Sequence, residues 1–144
     1  MHKRISAVGA AVLLAGALTA CSQAKAPVAA EGDHPAQVEQ VDGENSRLTL
    51  TKRAAERLGI QTTAVKAVAA NGRISVPYSA VFYGPAGETW VYVSPKELTF
   101  IREAVVIDRI DGDVAFLSEG PAVDTQVVTI GVAELYGTEF EVGH

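Results

Sequence analysis

Short stretches of alternating polar and apolar residues, separated by turn residues, make up the chain from residue 47 to residue 144. Alternation with a period of two is typical of half-buried β-strands, whereas an amphipathic helix repeats about every 3.6 residues. The dipeptides Asn71-Gly72 and Asp111-Gly112 are strong hairpin signals, because both residues of such a turn take positive φ. About seven short strands, with turns roughly every eight to twelve residues, predict one all-β domain: a small β-barrel or a sandwich-like domain.

Two segments depart from this alternation and predict one or two short helices. Thr51 can act as the N-cap of a helix over Lys52–Leu58, and Gly59 supplies the left-handed residue that commonly ends a helix. Residues 132–136 have room for one or two further turns.

Three local patterns predict how the strands are arranged. Residues 89–93 are apolar on both faces and therefore predict a central strand that is covered on both sides. Pro77 cannot donate a backbone hydrogen bond, which favours an edge strand or the start of a strand. Between Leu98 and Ile107 the apolar residues change parity, so a bulge or break is expected there.

The first twenty residues have the form of an export signal. A cationic start at Lys3 and Arg4 precedes an apolar stretch that is shorter than the roughly 20 residues needed to span a bilayer. Leu18-Thr19-Ala20-Cys21 resembles the lipobox of bacterial lipoproteins, and Cys21 is the only cysteine. We expect cleavage before Cys21 and lipid on its thiol, which would anchor the protein to a membrane in the cell envelope, outside the cytoplasm. The alternatives are a buried cysteine without chemistry and a plain export signal that is cut elsewhere.

Residues 21–46 predict a lipidated cysteine followed by a flexible tether, because they offer little to bury. Removal of residues 1–20 leaves ten Lys or Arg against seventeen Asp or Glu, a formal charge of −7. This acidic balance argues against nucleic acid as a partner and against electrostatic binding of a polybasic segment to anionic lipid. The folded domain is expected over residues 47–144.

The order of segments in this domain resembles the periplasmic adaptor proteins, or membrane fusion proteins, of tripartite RND-type efflux pumps. The segments are Leu48-Thr49-Leu50, Leu58-Gly59-Ile60, Val76-Pro77-Tyr78-Ser79-Ala80-Val81, Trp90-Val91-Tyr92-Val93, and Val127-Val128-Thr129-Ile130-Gly131 before Glu134-Leu135. The resemblance implies a β-barrel or membrane-proximal β-domain. The lipoyl and helical-hairpin domains of the family are missing, and a short connection over residues 68–73 takes their place.

One loop departs from the family pattern. Adaptors usually carry a Gly-Leu-x-x-Gly-Asp turn before the Val-Val strand, whereas this chain has Gly120-Pro121-Ala122-Val123-Asp124-Thr125. Asp124 can adopt the left-handed conformation at some energetic cost, which would preserve the turn in altered form.

No metal, cofactor or catalytic site is predicted. Some adaptors bind copper through methionines, but the only methionine here is Met1, and after cleavage the histidines are His34 and His144. Asp108, Asp111 and Asp113 surround a predicted turn, where solvated aspartates are common.

Two further groups of residues are assigned structural roles. Glu139 and Glu141 are expected to be exposed. The aromatic residues could form a partner surface, but core packing is the favoured reading; they are Tyr78, Phe82, Tyr83, Trp90 and Tyr92.

Together these patterns predict a non-enzymatic, lipid-anchored accessory or assembly module of an efflux or other transmembrane transport system, which binds a protein partner in the transport complex. The alternative is a tethered small-ligand or metal carrier outside the cytoplasmic membrane. A degenerate remnant without a present role is the third reading.

Overall fold

The computed structural model describes residues 34–43, 45–69 and 72–141, which form eleven strands, two α-helices and one short 3-10 helix. None of the helices in these ranges is long and apolar enough to cross a membrane. The elements are β1 (Ala36–Asp42), β2 (Asn45–Leu50), α1 (Lys52–Leu58), β3 (Gln61–Ala64), β4 (Lys66–Val68), β5 (Arg73–Pro77), the 3-10 helix (Tyr78–Ala80), β6 (Phe82–Tyr83), β7 (Thr89–Lys96), β8 (Thr99–Ala104), β9 (Val106–Asp111), β10 (Val114–Glu119), β11 (Gln126–Ile130) and α2 (Val132–Glu141).

The strands form two antiparallel sheets, so the predicted all-β class with short helices is confirmed in its sandwich-like form rather than as a closed barrel. The larger sheet has the order β1-β2-β8-β7-β11-β3, with β6 also paired to β7. The smaller sheet has the order β4-β5-β10-β9. The chain passes between the sheets at Val65 and Val105, each of which lies between two consecutive strands.

Two apolar clusters divide the domain into layers. The first lies between the sheets and includes Val91 and Val93 of β7 with Ala115 and Leu117 of β10. The second lies between the larger sheet and the helices; it contains Leu48, Leu50, Ala54, Tyr92, Phe100, Val128 and Leu135. The resulting order is small sheet, large sheet, helices.

Strand β7 occupies the centre of this arrangement, as the sequence predicts. It pairs with β8 along one side and with β6 and β11 along the other. Val91 and Val93 pack into one cluster while Tyr92 packs into the other, which explains why both faces of this strand are apolar.

Helix α1 has the predicted caps. The hydroxyl of Thr51 accepts a hydrogen bond from the backbone N–H of Ala54 at 3.2 Å, and Gly59 takes the left-handed conformation with φ of 64°. Only Ala54 of α1 is buried, so packing against the core holds the helix along a narrow stripe.

The predicted hairpins and the break in alternation are also present. Strands β9 and β10 are joined through Gly112, and β4 and β5 through Gly72; Asn71 lies outside the described residues. The parity change falls at Val105, where the chain leaves β8 for β9. Asp124 is left-handed, with φ of 69°, as the altered turn requires.

The prediction for Pro77 was wrong. This residue ends β5, an internal strand of the smaller sheet, and lies opposite Val114 of β10. Proline is tolerated because β4 pairs with β5 only as far as Ser75, so no neighbour on that side needs a donor from Pro77.

The tether predicted over residues 21–46 was too long at its C-terminal end. Ala36–Asp42 form β1, which pairs antiparallel with β2 from Ala36 opposite Leu50 onwards. The strand is polar because it lies at the edge of the sheet, where Ala36 and Val38 pack against the core and most other positions face solvent. Cys21 and residues 22–33 lie outside the described residues.

Candidate functional site

A buried ion pair joins α2 to the larger sheet. The Arg102 Nε of β8 donates to Glu139 Oε1 at 3.0 Å, and their side chains are 7% and 1% exposed. Tyr92 Oη of β7 donates to Glu139 Oε2 at 2.6 Å, so both carboxylate oxygens of Glu139 are engaged. The register explains the convergence, because Tyr92 lies directly opposite Arg102 in the β7–β8 pair and both side chains therefore point to the same face.

Aromatic rings surround this group. The Arg102 guanidinium lies over the Trp90 ring, 4.5 Å from its centroid, and 5.2 Å from the centroid of Phe140. Phe82 stacks on Tyr92 with ring centroids 4.9 Å apart and meets Tyr136 edge-on at 5.6 Å. Because such rings exclude water, the charge pair is held in surroundings of low polarity.

The prediction that Glu139 is exposed was therefore wrong; the side chain of Glu141 lies outside the described residues. The sequence predicted only residues 132–136 as helix, whereas α2 continues to Glu141. In the longer helix Glu139 lies four residues after the buried Leu135 and three after Tyr136, on the same face. The helical spacing of Glu139 from Leu135 could therefore have indicated that Glu139 is buried. It was missed because the predicted helix ended at residue 136.

Tyr92→Phe is expected to lower the free energy of unfolding by about 1–3 kcal/mol, because Glu139 loses a buried charge-assisted hydrogen bond. Burial, followed by that hydrogen bond, raises the pKa of Tyr92 above its ordinary value of 10.0. The unfolded chain therefore ionises this phenol while the native state keeps the proton. Its stabilising contribution is complete below about pH 10 and falls by roughly 1.4 kcal/mol per pH unit above it.

Urea denaturation of wild type and Tyr92→Phe at about pH 8 and about pH 11 measures this. The difference between the two proteins should shrink at the higher pH, since the other tyrosines titrate in both. An equal difference in the free energy of unfolding at both pH values would contradict the raised pKa of Tyr92.

Two of the aromatic residues predicted to lie in the core are exposed instead. Tyr83 is 52% exposed and Tyr78 36% exposed, and their hydroxyl oxygens are 3.2 Å apart. This hydrogen bond raises the pKa of Tyr83 above its usual value. Phe82 and Trp90 are partly buried, and only Tyr92 is fully buried, so the prediction of core packing holds for part of the group.

A surface groove lies beside the exposed tyrosines, between β6 and α2. We call it the β6–α2 groove; its volume is about 380 Å³, and it is lined by Ser79, Val81, Phe82, Tyr83, Val132, Ala133 and Tyr136. Most of these side chains are apolar or aromatic. Two of them, Phe82 and Tyr136, also belong to the ring cluster around Glu139.

A second depression lies on the helix layer between the two helices. This α1–α2 pocket has a volume of about 370 Å³ and is lined by His34, Pro35, Ala36, Leu50, Ala54, Arg57, Leu58 and Thr138. Its floor is the apolar cluster below the helices, to which Leu50 and Ala54 belong.

The acidic and histidine residues singled out from the sequence do not converge. Asp108 forms an ion pair with Arg73 at 2.7 Å, and Asp111 forms one with Arg109 at 3.2 Å. Within the described ranges there is no group of three or more His, Cys, Asp or Glu residues that could hold a metal ion. His34 lines the α1–α2 pocket, and His144 lies outside the described residues.

Comparison with known proteins gives no relative: no family model, no curated protein and no solved structure matches this chain. The resemblance to periplasmic adaptor proteins stays a prediction.

Proposed function

We propose that this protein is a non-enzymatic, lipid-anchored module of the cell envelope that binds a protein partner in an efflux or other transmembrane transport system. The observation that carries the proposal is the β6–α2 groove with the exposed pair Tyr78 and Tyr83 at its side. The lipobox-like sequence before Cys21 supports the anchored location, and the order of segments described above supports the link to transport.

The groove has the properties of a protein-binding surface. Tyrosine is enriched among the residues that dominate binding energy, because its ring buries a large area while its hydroxyl can still hydrogen-bond. Tyr83 offers such a ring at 52% exposure, beside apolar side chains of α2. The buried Glu139 fixes the position of α2 and therefore the shape of the groove in the free protein, which reduces the ordering cost of binding.

Tyr83→Ala is expected to weaken capture of the partner by about tenfold or more, which is the effect of truncating a central interface residue. Affinity capture from solubilised envelope, with quantitative mass spectrometry against an unrelated lipoprotein, measures the enrichment. Val123→Ala is the matched control, because Val123 is 44% exposed and does not line the groove.

Two results would count against the proposal. Enrichment of a transport component that is equal for wild type and Tyr83→Ala would place the interface elsewhere. Absence of any transport component above the lipoprotein control would remove the link to transport altogether.

A second candidate function, a tethered carrier of a small ligand, is favoured by the α1–α2 pocket. Its volume of about 370 Å³ lies within the range of small-molecule sites. Calorimetry with copper, zinc and hydrophobic drugs separates the two functions: binding tighter than micromolar supports a carrier, whereas partner capture without detectable heat supports the assembly module.

A further inference from the structure

The α1–α2 pocket lies between two helices that share one apolar floor. Ala54 of α1 and Leu135 of α2 belong to the same cluster, yet the pocket between the helices is walled by Ala36, Ala54 and Thr138. The rest of the lining is formed by His34, Pro35, Leu50, Arg57 and Leu58. Leu50 and Ala54 are buried at the floor of this pocket, at 4% and 7% exposure, and Leu58 contributes a partly exposed apolar side chain.

Arg57 is the one charged side chain among the described residues that line this pocket, with histidine counted as neutral. Among its described lining residues only His34 and Arg57 are ionisable, although the chain as a whole has a formal charge of −5. Arg57 lies in the last turn of α1, and Lys52 and Arg53 of the same helix are also exposed. An apolar cavity with a cation at its wall complements a molecule that combines a hydrocarbon chain with an anionic end.

The sequence before the pocket also bears on its ligand. His34 lines the pocket, and twelve residues, 22–33, separate His34 from Cys21, where the sequence predicts a lipid anchor. A lipid-anchored protein works beside a membrane, where single-chain amphiphiles concentrate.

From these observations we propose that the α1–α2 pocket binds a free long-chain fatty acid, with the hydrocarbon chain against Leu50, Ala54 and Leu58 and the carboxylate at Arg57. The proposal names the ligand class of the carrier function. It does not depend on the protein partner of the β6–α2 groove. Other candidate occupants are an acyl chain of a membrane phospholipid and the chain's own residues 22–33 or 142–144.

The test uses the full lipidated protein in nanodiscs of phosphatidylcholine. Trace amounts of palmitic acid carrying a photoreactive diazirine near the end of the chain are added, and the cross-linked peptides are mapped by mass spectrometry. Parallel samples contain the matching fatty alcohol or a phosphatidylglycerol with the same diazirine. Cross-links from the fatty acid are expected on β2, on α1 and near Thr138.

Arg57→Gln should reduce cross-linking of the fatty acid by about twofold to fivefold, the range of an exposed ion pair, and leave the alcohol unchanged. Arg53→Gln is the matched control, since Arg53 is an exposed cation of the same helix that does not line the pocket. Two pocket-filling variants, Ala36→Phe and Thr138→Phe, should each abolish the cross-links, so failure of one to fold leaves the other as a test.

Several outcomes would overturn the proposal. Equal cross-linking of acid and alcohol would show that Arg57 does not select an anion. Preferential cross-linking of the phosphatidylglycerol would assign the pocket to membrane lipid. Absence of pocket cross-links in every sample would show that none of these lipids binds there. Each of these results would leave partner capture through Tyr83 unaffected, so the two functions fail separately.

Discussion

Glu139→Ala is expected to lower the free energy of unfolding by about 3–5 kcal/mol, the loss typical of a buried ion pair that is deprived of one partner. The carboxylate is 1% exposed and accepts hydrogen bonds from both Arg102 and Tyr92. Its removal leaves a guanidinium that is 7% exposed without this counter-charge and a buried phenol without its acceptor.

Urea denaturation followed by circular dichroism measures this loss. Glu134→Ala is the control, because Glu134 is an exposed carboxylate in the first turn of the same helix. Its loss should cost no more than about 1 kcal/mol, the value of a charge near a helix N-terminus. A change below about 1 kcal/mol in Glu139→Ala would show that the pair does not hold α2 in place.

The same substitution connects stability with the proposed function. Tyr136 and Phe140 belong to α2, so release of the helix separates Tyr136 from Phe82 and opens the wall of the β6–α2 groove. We therefore expect Glu139→Ala to weaken partner capture as well. Combined with Tyr92→Phe it should be less than additive, since both substitutions remove the same hydrogen bond.

Cys21→Ala is expected to abolish lipid attachment, because the thiol is the only group in the chain to which the predicted lipid can be joined. Each buried methylene is worth roughly 0.8 kcal/mol, so several acyl chains hold a protein on a membrane without further contacts. The mass of the mature N-terminus decides the result: the wild type should begin at Cys21 with added lipid, and the variant should lack it.

A second variant separates the effect of release from the membrane from the effect of incomplete signal processing. An ordinary cleavable export signal placed before Ser22 should send the whole protein to the soluble fraction and abolish its proposed role in transport, whereas Ser22→Ala alone should change neither. If transport activity persists in the released form, proximity to the membrane is not required. An unmodified Cys21 in the wild type would remove the lipid anchor from the proposal.

Local sequence determined most of the strand and helix elements and both caps of α1. The N-cap hydroxyl of Thr51, the left-handed Gly59 and the turn at Gly112 depend on residues within a few positions, so their conformations can be read from short windows. The central position of β7 was also predictable, because apolar residues on both faces of a strand require cover on both sides.

The sequence predictions that were wrong depend on contacts between distant segments. Strand β1 is polar and gains its stability from pairing with β2, and α2 extends past Tyr136 because Glu139 meets side chains 37 and 47 residues earlier in the chain. Tyr83 and Tyr92 are the same residue type on neighbouring paired strands, yet one is 52% exposed and the other fully buried. The register separates them: Tyr83 lies opposite Thr89 and so points to the face away from Tyr92, which packs in the cluster below the helices.

The sequence by itself thus determined an all-β domain and the caps of its first helix, because periodicity, turns and caps are local properties, while lipid attachment at Cys21 stays a prediction. Only the tertiary structure decided that there are two sheets rather than a closed barrel, that Glu139 is buried, and that the β6–α2 groove and the α1–α2 pocket exist. Those features arise where distant segments pack, and the free energy of packing depends on which surfaces meet, which no short window of sequence contains.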